Sequence, residues 1–379
     1  MLMLKPGLLS AAVIALFALS ASAALAQDAK GGAAKDASKA ASKAAAKSAP
    51  AAKAAATATP AGPSPAALAA EHDAMVKAAK AEGEAVFYST AIESSSKRVA
   101  EAFFAKYGVT AKYLRISSSP LVTRFFAEAD ANNIAADLVL LAGSMQAFTE
   151  EGLKKGYIES MDKSGLPAIR GSTFPKRFLT GPTAISAIYP WLIAYNSDKL
   201  KGADIPKEWI DVLNPKYKGQ ILLVDPRVSE AYLDLWALLQ DTHGDSFYAR
   251  LAEQNPRRYP SGVPAYQALG AGEGLLAIPA IPAGVKDLKD KGAPMNLVIP
   301  ELTAGLEMHV ILPARGKIKH PNAGRLLANY ILSEDGNKVF NDDPGTVAIY
   351  DISTIPKRYS PPKAGTVARK EALTKLLGF

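Results

Sequence analysis

The chain has 379 residues, a net charge of +8, 49% hydrophobic residues and no cysteine. That length suits two domains of ordinary size, and the lack of cysteine excludes disulfide staples, thiolate nucleophiles, iron–sulfur ligation and a lipid-anchored export route. The charge does not read as a nucleic-acid face, because half of it comes from residues 28–65, where six lysines oppose two aspartates among Ala, Ser and Pro.

The first 26 residues read as a cleaved secretory signal. Lys5 precedes an apolar run from Leu8 to Leu19, broken by Ser10, and Ala24-Leu25-Ala26 supplies small residues before Gln27. The run approaches the ~18–20 residues of a membrane anchor, and the Ala-x-Ala pattern favours cleavage. Residues 27–66 follow as an Ala/Lys/Pro-rich linker without large side chains to bury, expected to be disordered. It reads as a flexible spacer, with a tether to the acidic cell envelope as the sharper alternative.

Order is expected from about Leu68, where Ala67, Leu68, His72, Met75, Val76 and Ala79 recur at helical spacing. A strand at 85–89 follows, then a helix that Ser94-Ser95-Ser96 can cap and that buries Val99, Phe103 and Phe104. The unit repeats with a strand at 111–116, a helix from Ser117-Ser118-Ser119-Pro120 through Phe126, and a strand at 136–141. Further strands are expected at 187–195, 220–224 and 274–278, with helices at 232–240 and 264–271 between them. Apolar strands at 297–299 and 308–312 and a helix at 323–332 complete the pattern. Alternating β and α units predict an α/β fold with largely parallel sheets covered by helices.

In order and spacing, Gly83-Glu84-Ala85-Val86-Phe87-Tyr88-Ser89, Ala136-Asp137-Leu138-Val139-Leu140 and Ser261-Gly262-Val263-Pro264 with Gly272-Glu273 resemble the ferric-iron-type extracellular solute-binding proteins. His320-Pro321-Asn322-Ala323 and Leu332-Ser333-Glu334-Asp335-Gly336 resemble that family's closing helix and turn. The likeness covers roughly residues 82–345. It implies a two-lobed type 2 periplasmic-binding-protein fold with two crossing strands, near 186–195 and 299–310. The first lobe would then comprise 67–186 and 305–379, and the second 187–304. It also implies a periplasmic, monomeric component of an ABC importer that captures a small molecule and delivers it to an inner-membrane permease, with no nucleic-acid partner.

Helix amino ends carry unpaired N–H groups and a partial positive charge, which suits anions. Thr90, Ser118, Ser119, Ser144, Ser229 and Ser261 sit at strand ends or helix starts and are candidate ligand contacts, although each serine alone fits plain N-capping better. Arg227 could add a charged fork for a carboxylate or phosphate, or else make a surface salt bridge. Tyr189, Trp191 and Tyr232 could cover an apolar part of the ligand. Ferric members of the family use a tyrosine pair after the glycine-glutamate segment, but here Gly274-Leu275-Leu276-Ala277-Ile278-Pro279-Ala280-Ile281-Pro282 follows. An organic or phosphorus-containing anion is therefore expected in place of Fe(III), with no metal and no cofactor. Ferric binding, or presentation of ligand to a sensor, remain the alternatives. The dinucleotide fingerprint fails at Leu275, the four histidines lack metal spacing and no Gly-x-Ser-x-Gly elbow occurs, so no enzyme is expected.

Overall fold

The computed structural model describes residues 63–379 except Ser144 and Ala364. The expected signal and all but the last residues of the expected linker lie outside that range. The first helix, Pro65–Glu82, starts slightly before the expected boundary: Ser64 Oγ accepts the Ala67 N–H at 3.2 Å, and Pro65 occupies the first turn, where its missing donor costs nothing.

Two sheets organise the fold. In the seven-stranded sheet the order is Val347–Ala348, Ala184–Pro190, Gly305–Pro313, Leu138–Leu141, Glu84–Ser89 and Thr110–Arg115, with Ile158–Glu159 pairing beside Gly305–Pro313. Glu84–Ser89 pairs parallel with both neighbours, as right-handed β-α-β crossovers require. The second sheet has five strands, Met295–Val298, Leu192–Asn196, Leu276–Ala280, Ile221–Val224 and Arg257–Tyr259. Each sheet has its own buried cluster, one built around Phe87, Phe103 and Leu326 and the other around Trp209, Trp236 and Phe247.

The expected single strand at 187–195 is two strands in two different sheets, Ala184–Pro190 and Leu192–Asn196, with Trp191 between them. The return lies beside it. The Trp191 N–H donates to Ala304 O at 2.8 Å and Thr303 Oγ1 donates to Trp191 O at 2.8 Å. Gly305 is needed here because a Cβ would stand 2.6 Å from Tyr189 O. A third segment joins this hinge, since Leu302–Thr303 pairs in parallel with Arg358–Tyr359.

That third crossing carries the chain back to the second lobe, where Leu373 and Leu377 belong to its buried cluster. Residues assigned as a block to the first lobe, 305–379, are thus divided, and the helix Lys370–Leu376 packs on the helix Glu230–His243. The sequence offers no periodic cue, because the surface it covers lies more than a hundred residues away. Phe104 also departs from expectation: it is 55% exposed, being rotated about 100° from Phe103, which takes the core position.

On the hinge strand Gly305–Pro313, Leu306 and Met308 face the space between the lobes, while Glu307 and His309 alternate to the opposite face. Burial, helped by the nearby Asp234, raises the Glu307 carboxyl to about 7 against the opposing hydrogen bond from Tyr359. His309, a buried core residue as its apolar strand implied, bonds Thr183 Oγ1 at 2.8 Å and is held down to about 4 by burial.

Candidate functional site

Between the lobes lies a cavity of about 340 Å³. Five helices direct their amino ends at it: Glu93–Tyr107 and Ser118–Asp130 from the first lobe, and Glu230–His243, Gly262–Gly270 and Pro282–Lys289 from the second. Each follows a strand whose carboxyl end opens on the same cleft, where ligands bind in open α/β sheets. Their N-cap residues Ile92, Ser117, Ser229, Ser261 and Ile281 make no side-chain cap bond, so the first-turn N–H groups are not satisfied from within.

Of the residues singled out from sequence, the cavity brings together Thr90, Ser118, Tyr189, Trp191, Ser229, Tyr232 and Ser261. Their tasks differ. Thr90 Oγ1 accepts the Ala142 N–H at 3.0 Å, and Ser118 Oγ donates to Ala142 O at 2.5 Å, so both fasten the end of the strand Leu138–Leu141. Ser229 Oγ is buried without a partner. It reaches across from the second lobe to within 3.0 Å of where a Cβ on Gly143 would stand, so this glycine, at φ +83°, makes room for closure. Trp191 and Tyr232 stack with centroids 4.3 Å apart, and Trp191 Nε1 donates to Ala231 O at 3.0 Å.

Ser119 is exposed and does not line the cavity, because the helix beginning at Ser118 turns it outward by about 100°. Ser144 lies outside the described residues. Arg227 is also absent from the lining: its guanidinium grips Asp225 through Nε at 2.9 and 3.0 Å and Nη2 at 2.6 Å, and its Cζ lies 5.7 Å from the Phe379 ring. Its pairing is the local salt bridge set against the ligand role from the outset.

The cation in the lining is Arg115, the last residue of the strand Thr110–Arg115. Among the described residues it forms no ion pair, and the described lining holds no Asp, Glu, Asn or Gln. Sequence reasoning passed over it, although a cation at a strand's carboxyl end just before Ser117-Ser118 was the available signal. Tyr266 was missed as well; its hydroxyl donates to Pro279 O at 3.1 Å. Burial pushes the phenols of Tyr189, Tyr232 and Tyr266 above their ordinary range. Asp343 lies beneath the cavity floor, held by Arg98 at 2.7 Å and Ser95 Oγ at 3.0 Å, so its charge is already compensated.

With this geometry in view, residues 133–349, more than half of the chain, match the family model described as bacterial extracellular solute-binding protein. Several solved structures share the fold, three of them as follows. The substrate-binding protein of an ABC transporter from Agrobacterium tumefaciens is 15% identical, with a TM-score of 0.65 over 78% of this chain and 94% of that one. Iron-bound HitA from Pseudomonas aeruginosa is 19% identical, at 0.59 over 78% and 99%. The periplasmic binding protein AfuA from Actinobacillus pleuropneumoniae, with fructose-6-phosphate bound, is 20% identical, at 0.55 over 78% and 96%.

Proposed function

The chain belongs to the bacterial extracellular solute-binding proteins, and from that premise we propose that it captures a small organic or phosphorus-containing anion in the periplasm and hands it to an inner-membrane ABC permease. One observation carries the choice of ligand charge. Arg115 and five helix amino ends share a single cavity, and no carboxylate among the described residues lines it. Unpaired N–H groups and a guanidinium stabilise an anion and repel a cation. Closure around such a ligand is driven by contacts that only the closed cleft supplies.

HitA binds iron and AfuA binds fructose-6-phosphate. For this chain the cavity's own chemistry favours the organic anion, since ferric iron needs several hard oxygen donors and the described lining holds no carboxylate and no histidine, while Tyr266 Oη already donates to Pro279 O. Export by cleavage after Ala26 and action as a monomer complete the proposal; sequencing of the exported protein should start at Gln27.

The test is a thermal-shift screen of the mature protein against organic acids, phosphonates, sugar phosphates, polyamines and ferric citrate. A ligand at ~100 times its dissociation constant adds about 2.7 kcal/mol. Stabilisation by anions alone is expected, and stabilisation by polyamines or iron alone would overturn the anion reading. Loss of uptake of the same solute on gene deletion supports delivery to a permease; unchanged uptake favours presentation to a sensor.

A further inference from the structure

We infer that the solute is amphiphilic: one acidic group, carboxylate or phosphate, on a flat or branched apolar body that carries no amine and few hydroxyls. This rests on the anion-binding reading of the cavity and narrows it by asking what the rest of the lining can satisfy.

Charge in the described lining is confined to Arg115, at the end of one first-lobe strand. Most of the remaining wall is apolar or aromatic, with the Trp191–Tyr232 stack, Ile281, Leu306 and Met308 among its parts. A polyhydroxylated body would need a partner for every buried hydroxyl, and the described wall offers few, with Ser229 Oγ and Tyr189 Oη buried and unpartnered, which suits one or two hydroxyls and not many. No Asp, Glu, Asn or Gln lies in the described lining, and the Thr90 and Ser118 hydroxyls are already engaged with Ala142. An ammonium would meet no counter-charge either, since Asp343, behind Ser95, is neutralised by Arg98. Flat rings are suited to covering an unsaturated or aromatic body. The cavity, about 340 Å³, lies near the small end of the ~300–1,000 Å³ range of ligand pockets, which suits a compact solute.

Calorimetry on the mature protein with four probes separates the possibilities: phenylacetate, phenyl phosphate, L-phenylalanine and glucose 6-phosphate, with phenethylamine as the cationic control. At least one of the first two should bind about tenfold or more tightly than phenylalanine and glucose 6-phosphate, and their ranking identifies the acidic group. Arg115→Gln, checked for folding by circular dichroism, should weaken that binding about tenfold or more. Tightest binding of glucose 6-phosphate would overturn the amphiphile while leaving the anion reading intact. Phenylalanine binding as tightly as phenylacetate would overturn the exclusion of an amine. Phenethylamine binding without any of the acids would sink both readings, and binding of none of the probes would overturn the inference drawn here.

Discussion

Five α-helices begin after a serine that the structure describes, and these divide by position. Ser64 and Ser333, away from the cleft, cap their helices by accepting the Ala67 and Gly336 N–H groups at 3.2 and 3.3 Å. Ser117, Ser229 and Ser261, at the cavity, make no such bond. A capping serine satisfies an otherwise orphaned N–H group and stabilises its helix by ~1 kcal/mol. Leaving that bond unmade at three helices sharing one cavity keeps both hydroxyls and N–H groups for a ligand. The same residue type thus serves folding in one region and recognition in the other.

The largest expected effect separates the cavity from the strand face behind it. Glu307 holds a proton in the folded state up to about pH 7, against an ordinary value of 4.5. Its raised value means that the unfolded chain ionises first, so stability is greatest below 4.5 and is lost as pH rises through 7. Glu307→Gln should therefore be more stable than wild type by about 2–3 kcal/mol at pH 8, after allowing for partial exposure, and equal to it near pH 4. Denaturant melts at several pH values check this. Ligand affinity should follow the same pH course in both proteins, because Glu307 faces away from the cavity and does not line it; a pH dependence of affinity that Glu307→Gln removes would join the two regions.

Next in size is the contrast between two arginines. Arg115→Ala should weaken ligand binding by about 1.5–3 kcal/mol, roughly 10- to 150-fold, as expected for a hydrogen bond to a charged group. Arg227→Ala should leave affinity within about twofold, since its partner is Asp225. Calorimetry on both variants decides, and the reverse order would return Arg227 to the site.

The smallest effects test the serines themselves. Ser333→Ala should cost ~1 kcal/mol of stability and no affinity. Ser229→Ala and Ser261→Ala should leave stability within about 0.5 kcal/mol and weaken binding by about two- to tenfold. Equal loss of stability from all three would erase the distinction.

The alternation of strands and helices was legible because apolar periodicity survives in a single sequence, and several of the hydroxyls picked out at strand ends share one cavity. The break at Trp191 was not: Ala184–Pro190 and Leu192–Asn196 are both buried throughout, so hydrophobicity runs on across the boundary between sheets. Arg227 looked like a ligand contact because spacing does not reveal that Asp225, two residues earlier, already holds it. Arg115 was hidden for the opposite reason, as an ordinary surface-compatible residue whose placement depends on how two lobes meet. Ser229 and Ser261 could be assigned to the cleft, but whether they cap their helices is a matter of rotamer, which sequence does not state.

The third hinge segment also bears on how the lobes could be exchanged between proteins. Because Arg358–Tyr359 lies against Leu302–Thr303 and the helix Lys370–Leu376 covers the helix Glu230–His243, the second lobe is assembled from two separate stretches of chain. A graft of residues 192–300 alone would leave behind Leu373 and Leu377, which are buried in that lobe. A transplant that preserves the receiving surface must take residues 366–377 along with it, making the second lobe a two-part cassette.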